Sequence, residues 1–220
     1  MSEVEIAQVI RLLSVAIIPV LFGIALHEAA HGWTAARFGD RTAELLGRVT
    51  ANPLKHIDPI GTVLVPLVLA FTTGTPFGWA KPVPVNARNL RDPKRHMIFV
   101  AAAGPLANIL MGVAWAVVFA IAYYAGSGWG GVRQFLLSMG KFGIQFNALL
   151  AVFNLLPIPP LDGGRVLRGL VPESLGRYLD RVEPWGLILV MGLLVVGVLG
   201  QLVWPVAQQL ADLLFSLTGA

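Results

Sequence analysis

The residues with the clearest capacity for chemistry are His27-Glu28-Ala29-Ala30-His31. Side chains four apart lie on one face of a helix, so both imidazoles can reach a single metal ion. Glu28, beside the first imidazole, is placed to meet water at that ion and to take its proton. His-Glu-x-x-His on a helix is the spacing of zinc-dependent hydrolytic sites. Zinc lowers the pKa of its water to about 7, which makes hydroxide available at neutral pH. The plainer reading is a set of polar residues lining a helix contact. Three ionisable groups in five residues of an otherwise apolar run make that reading costly.

A catalytic zinc usually takes three protein ligands and leaves one position for water. The chain has no cysteine, so the third ligand must come from His56, His96 or a carboxylate. His56 and His96 stand in cationic stretches and read as solvated loop histidines. Asp162 is in a different setting. It follows Pro157, Pro159 and Pro160, which break an apolar run, and it precedes Gly163 and Gly164, where the backbone can bend. A broken helix inside a membrane is tolerated only where it is buried in protein or lines a watery cavity. The same aspartate also suits the cap of a helix starting near Arg165.

The elements that must position these residues are membrane helices. Of 220 residues, 56% are hydrophobic and 13% charged, and the mean hydropathy is +0.73. A soluble domain carries about 25% charged residues, and a disordered chain is poor in apolar ones. The lack of cysteine removes disulfides and thiolate chemistry. The sequence predicts an all-α polytopic membrane protein with about four full spans, near 6–38, 97–125, 135–156 and 184–204. Residues 59–73 are apolar, short and split by Pro66, which predicts a re-entrant or interfacial segment. The stretch 43–54 reads as short extended structure closed by a turn. Pro205 onward reads as an amphipathic interfacial tail or the extension of a tilted helix. Residues 1–220 read as one domain. Met1–Glu5 has two acids and no cation, unlike a secretory signal, so the first helix is read as retained, with its N-terminus outside.

Charge placement favours this topology. If 59–73 does not cross, 37–95 and 163–183 share the cytoplasmic side with nine and four cations. Only Arg11, Arg133 and Lys141 remain near the other face. Thirteen against three is a strong positive-inside bias. The pI near 9.9 reflects that bias and gives no reason to expect a nucleic-acid partner.

His27-Glu28-Ala29-Ala30-His31 together with Asn154-Leu155-Leu156-Pro157-Ile158-Pro159-Pro160-Leu161-Asp162-Gly163 resembles the site-2 protease family of intramembrane zinc metalloproteases. The resemblance extends through Gly104-Pro105-Leu106-Ala107-Asn108 and covers about residues 15–170. It implies one Zn2+ held by His27, His31 and Asp162, Glu28 as general base, and Asn154 as a residue that positions or polarises the scissile carbonyl. It also implies a transmembrane protein or peptide as substrate, and membrane lipids as surroundings. The 220 residues leave no room for the PDZ or CBS domain of many family members, so this is a compact form. The 43–54 stretch matches in position the family's membrane-associated β-loop, and it suits a connector as well as a strand edge that holds unwound substrate. Trp79 suits an interfacial anchor as well as a substrate clamp.

The reading is an endopeptidase of a bacterial or archaeal plasma membrane, with its active site toward the cytoplasm. The rival is a metal transporter, since His and Asp on broken helices also suit ion passage. Glu28 separates the two: hydrolysis requires a base beside the metal and transport gains little from one. A membrane scaffold would need neither motif.

Overall fold

The computed structural model describes residues 3–65, 67, 68 and 78–219, and these are mostly helical, with no strand among them. Three helices are long and apolar enough to cross a membrane: α1 (Glu3–Arg37), α2 (Pro93–Tyr124) and α3 (Gly130–Asn154). Four shorter helices follow: α4 (Asp162–Leu170), α5 (Glu173–Val182), α6 (Gly186–Val195) and α7 (Val198–Ser216). An integral membrane protein is the consequence.

The central helix is α2. It packs against α1, α3, α4 and α7, and it starts from an N-cap in which Asp92 accepts a hydrogen bond from the Arg95 N–H, with Pro93 at the first helical position. Its contact with α3 is close because glycine faces a ring: a Cβ at Gly143 would lie 2.4 Å from Trp115. Small residues draw helices together in lipid, where the hydrophobic effect between helices is weak.

The span expected over 184–204 is bent in the structure. The run Glu173–Val195 and the helix Val198–Ser216 meet at 82°. Gly197, at φ +82°, supplies the left-handed residue that ends α6. Beyond it, α7 buries Leu199, Val203, Ala207, Ala211 and Leu214, the recurring spacing of one helix face. It packs against α3 and α2, so 205–216 belongs to the bundle and is not a surface tail.

The 43–54 stretch is also corrected. It holds one helical turn (Thr42–Leu45), a turn at Gly47 and a tight turn at Pro53–Lys55 capped by Asn52. Local side-chain and turn bonds take up the N–H groups of residues 45–48, 52, 54 and 55 and compete with a ladder. Of the stretch 59–73, residues 66 and 69–73 lie outside the described residues. Its first limb is a wide helical turn at Pro59–Leu64, capped by Asp58 on the N–H groups of Ile60 and Gly61. The returning chain meets this limb: Trp79 N–H donates to Gly61 O (3.0 Å), Thr62 Oγ1 to Trp79 O (2.9 Å), and Lys81 N–H to His56 O (2.9 Å). The Trp79 indole lies directly over Gly61.

Candidate metal centre

His27 and His31 stand one turn apart on the last third of α1, and Asp162 is the first residue of α4. All three are buried, with 7–8% of each exposed. Their ligating atoms lie within 4.8 Å of one another. His27 Nε2 and His31 Nε2 are 3.0 Å apart, and Asp162 Oδ2 is 3.2 Å from the first and 3.4 Å from the second. Tetrahedral zinc with bonds of 2.0–2.1 Å sets its ligands roughly 3.3 Å apart. The donor set therefore fits zinc.

The hydrogen-bond partners give the chemical reason. His27 Nδ1–H donates to Asn108 Oδ1 (2.7 Å) and His31 Nδ1–H donates to Val100 O (2.7 Å). Both acceptors are oxygens without a proton to give, so each imidazole carries its proton on Nδ1. Both Nε2 atoms then present lone pairs to each other at 3.0 Å, an arrangement that a shared cation satisfies and a hydrogen bond does not. Asp162 Oδ2 is buried and accepts no hydrogen bond of good geometry. It caps no helix either: Leu161 is the cap residue of α4, and it makes no side-chain cap.

Several residues that hold this arrangement were not singled out by their types alone. Asn108 Nδ2 donates to Gly23 O and to Asn147 Oδ1 (3.0 Å each), and Asn147 Nδ2 donates to Gly143 O (2.9 Å). Two fully buried amides thus join α1, α2 and α3 and finish on the His27 ring. The available signal was polarity itself, an asparagine inside each of two apolar spans. Gly104 acts by being small. A Cβ there would lie 2.4 Å from His31 Nε2 and 2.6 Å from His27 Cε1, inside the space that an ion would take. At Gly163 a Cβ would sit 2.2 Å from Leu155 O, so glycine lets α4 start against the preceding loop and bring Asp162 under the histidines.

The remaining candidates divide. Glu28 is half-buried, and its Oε2 accepts a hydrogen bond from the Val83 N–H at 2.7 Å. Asn154 ends α3, half-buried, with Nδ2 donating to Leu150 O at 3.0 Å. No hydrogen bond joins it to His27, Glu28, His31 or Asp162 among the described residues. His56 is 1% exposed, not solvated as expected; its Nε2–H donates to Thr50 O (3.0 Å). His96 stacks on Phe38 at 4.2 Å. Neither histidine is part of the triad. A cleft of about 610 Å3 lies beside the centre, with Pro82, Val83 and Val85 on one wall and Pro159, Gly164 and Arg165 on another.

Comparison with known proteins agrees with this chemistry. The model of "Peptidase family M50" matches residues 129–197. YwhC of Bacillus subtilis is 35% identical over 207 residues, 93% of this chain and 90% of that protein. Rip2 of Mycolicibacterium smegmatis is 31% identical over 190 residues, 82% of this chain and 66% of that protein. Rip2 of Mycobacterium tuberculosis is 28% identical over 195 residues, 88% of this chain and 71% of that protein. All three bear the name "Putative zinc metalloprotease". No solved structure gives a significant match. With a family model that matches residues 129–197 and a relative that runs nearly end to end with it, the chain belongs to peptidase family M50, the site-2 protease family of intramembrane zinc metalloproteases.

Proposed function

We propose that the chain hydrolyses a peptide bond in or near the transmembrane segment of a membrane protein, with His27, His31 and Asp162 holding one zinc ion and Glu28 acting as general base. The observation that carries this is the convergence of three buried donor atoms within 4.8 Å, with both Nδ1 protons committed elsewhere. When bound, zinc supplies Lewis acidity and makes water nucleophilic near neutral pH. Glu28 takes the proton of the attacking water and delivers it to the leaving nitrogen. Asn154 keeps one amide N–H beyond its bond to Leu150 and offers it to the scissile carbonyl oxygen. Helical peptide bonds are poorly open to attack, so the substrate unwinds locally, and the cleft between Val83 and Gly164 receives the extended segment.

The topology belongs to the same proposal. The two limbs of 59–79 hydrogen-bond to each other, which supports a segment that returns to the side it left, since one crossing would part its ends by about 30 Å. That keeps 37–95 on one face with most of the cations, and the centre opens toward the cytoplasm. A bacterial or archaeal plasma membrane is the proposed location. No observation supports metal transport.

Glu28→Gln tests the chemistry. Gln keeps the shape and cannot accept the proton, so zinc stays at about one per chain while cleavage of a single-span substrate in detergent falls by at least 10²–10⁴-fold. Undiminished cleavage by zinc-replete Glu28→Gln protein would end the mechanism.

A further inference from the structure

The extended segment 81–86 crosses α1 at the metal centre, and the reason lies in two residues four apart. Glu28 and Gly32 share a helix face. Gly32 has no side chain, and a Cβ there would come within 3.0 Å of Val83 Cγ1. The buried Val83 side chain therefore packs against α1 one turn beyond Glu28, and the Val83 N–H reaches Glu28 Oε2 at 2.7 Å. Pro82 and Pro84 flank it, so Val83 carries the only amide hydrogen between residues 82 and 84. The segment is anchored on both sides of this contact. Lys81 N–H donates to His56 O, Arg48 Nη2 donates to Lys81 O (2.8 Å), and Asn86 N–H donates to Asp40 Oδ2 (2.6 Å). Anchors at 81 and 86 mark a fixed strut; a lid would need a free end.

We propose that the Val83 peptide N–H is the positioning group of the general base. A glutamate carboxylate turns easily about its last bond. One charge-assisted hydrogen bond to Oε2 stops that rotation and leaves Oε1, which accepts no hydrogen bond among the described residues, to receive the proton. The flanking prolines hold the segment extended, so that this single donor is aimed before substrate arrives. Val83 acts through Glu28 and does not touch the reacting atoms. The inference rests on the reading of Glu28 as base.

The test compares Val83→Pro with Val83→Ala in the full-length protein in detergent. Proline continues an extended run and deletes the N–H, whereas alanine removes methyl groups and keeps it. Val83→Pro should show kcat lower than Val83→Ala by about tenfold or more, the worth of a hydrogen bond to a charged group. KM and zinc content should match between the two. Equal kcat in the two variants would overturn the proposal, while an inactive Glu28→Gln would leave the base assignment standing. A second measurement does not depend on activity or on the proline variant folding. Fragment-resolved hydrogen exchange isolates the Val83 amide, because its neighbours have none. Glu28→Ala should accelerate exchange at Val83 at least tenfold and leave Lys81, bonded to His56 O, unchanged. Equal Val83 exchange in wild type and Glu28→Ala would refute the contact.

Discussion

At the scale of single residues, the centre is built from donors whose other atoms are already engaged. His27 and His31 spend Nδ1 on Asn108 and on the Val100 carbonyl, which leaves Nε2 for metal, while Asp162 brings an oxygen with no competing donor of good geometry. Removing a ligand should therefore remove the ion. Asp162→Ala should lower zinc from about one per chain to a small fraction, because two ligands seldom retain a catalytic zinc; elemental analysis showing full occupancy would take Asp162 out of the site. The outer partner is tested separately. Asn108→Leu keeps the volume and deletes the acceptor for His27, so zinc affinity should fall about 10–100-fold, read by competition with a chelator. A helical circular dichroism spectrum like that of wild type would show that the loss is local.

At the scale of elements, the bend after α1 is held by one aspartate. Asp40 is fully buried and accepts hydrogen bonds from Thr42 N–H and Oγ1, Asn86 N–H and Asn89 Nδ2. It ties the end of α1 to the 81–89 segment that carries Val83. Burial pushes its carboxyl up, but these donors outweigh burial and hold it below the ordinary carboxylate value. A depressed native pKa adds stability that is fully present above the unfolded value, about 3.9, and is lost as pH falls through the native one. Asp40→Ala should thus destabilise by about 1–3 kcal/mol at neutral pH. The gap from wild type in thermal midpoint should stay constant from pH 8 to 5 and close below about pH 4. A gap that persists to low pH would show that packing, not the charge, sets the contribution.

At the scale of the whole molecule, the order of sides decides where substrate meets the site. Lys55 is exposed beside His56, whose carbonyl binds the returning chain at Lys81, Arg91 is exposed beside the end of α1, and Gly128 is exposed in the turn between α2 and α3. The chain has no cysteine, so single cysteines report cleanly. In intact cells an impermeant thiol reagent should label Gly128→Cys and spare Lys55→Cys and Arg91→Cys, which should react only after permeabilisation. External labelling of Arg91→Cys would overturn the proposed orientation together with the charge asymmetry behind it.

Much of this was legible in the chain itself. Composition placed it in a membrane, three spans followed from apolar length, and the His27–Glu28–His31 spacing pointed to a candidate metal site because helical periodicity brings i and i+4 together whatever the surroundings. Asp162 stood out because prolines and glycines mark where a helix must break. Other features depended on partners distant in sequence. Whereas the turns that replace a strand at 43–54 are local bonds that compete with a ladder, the docking of α7 and the burial of His56 arise from packing that no window of sequence contains. The same holds for the groups that aim the site. Asn108 lies 81 residues from His27 and Val83 lies 55 from Glu28. Residue types and spacing determined which atoms could bind and react; tertiary structure decided which way they point, because a hydrogen bond is directional and its partner is chosen only when the helices meet.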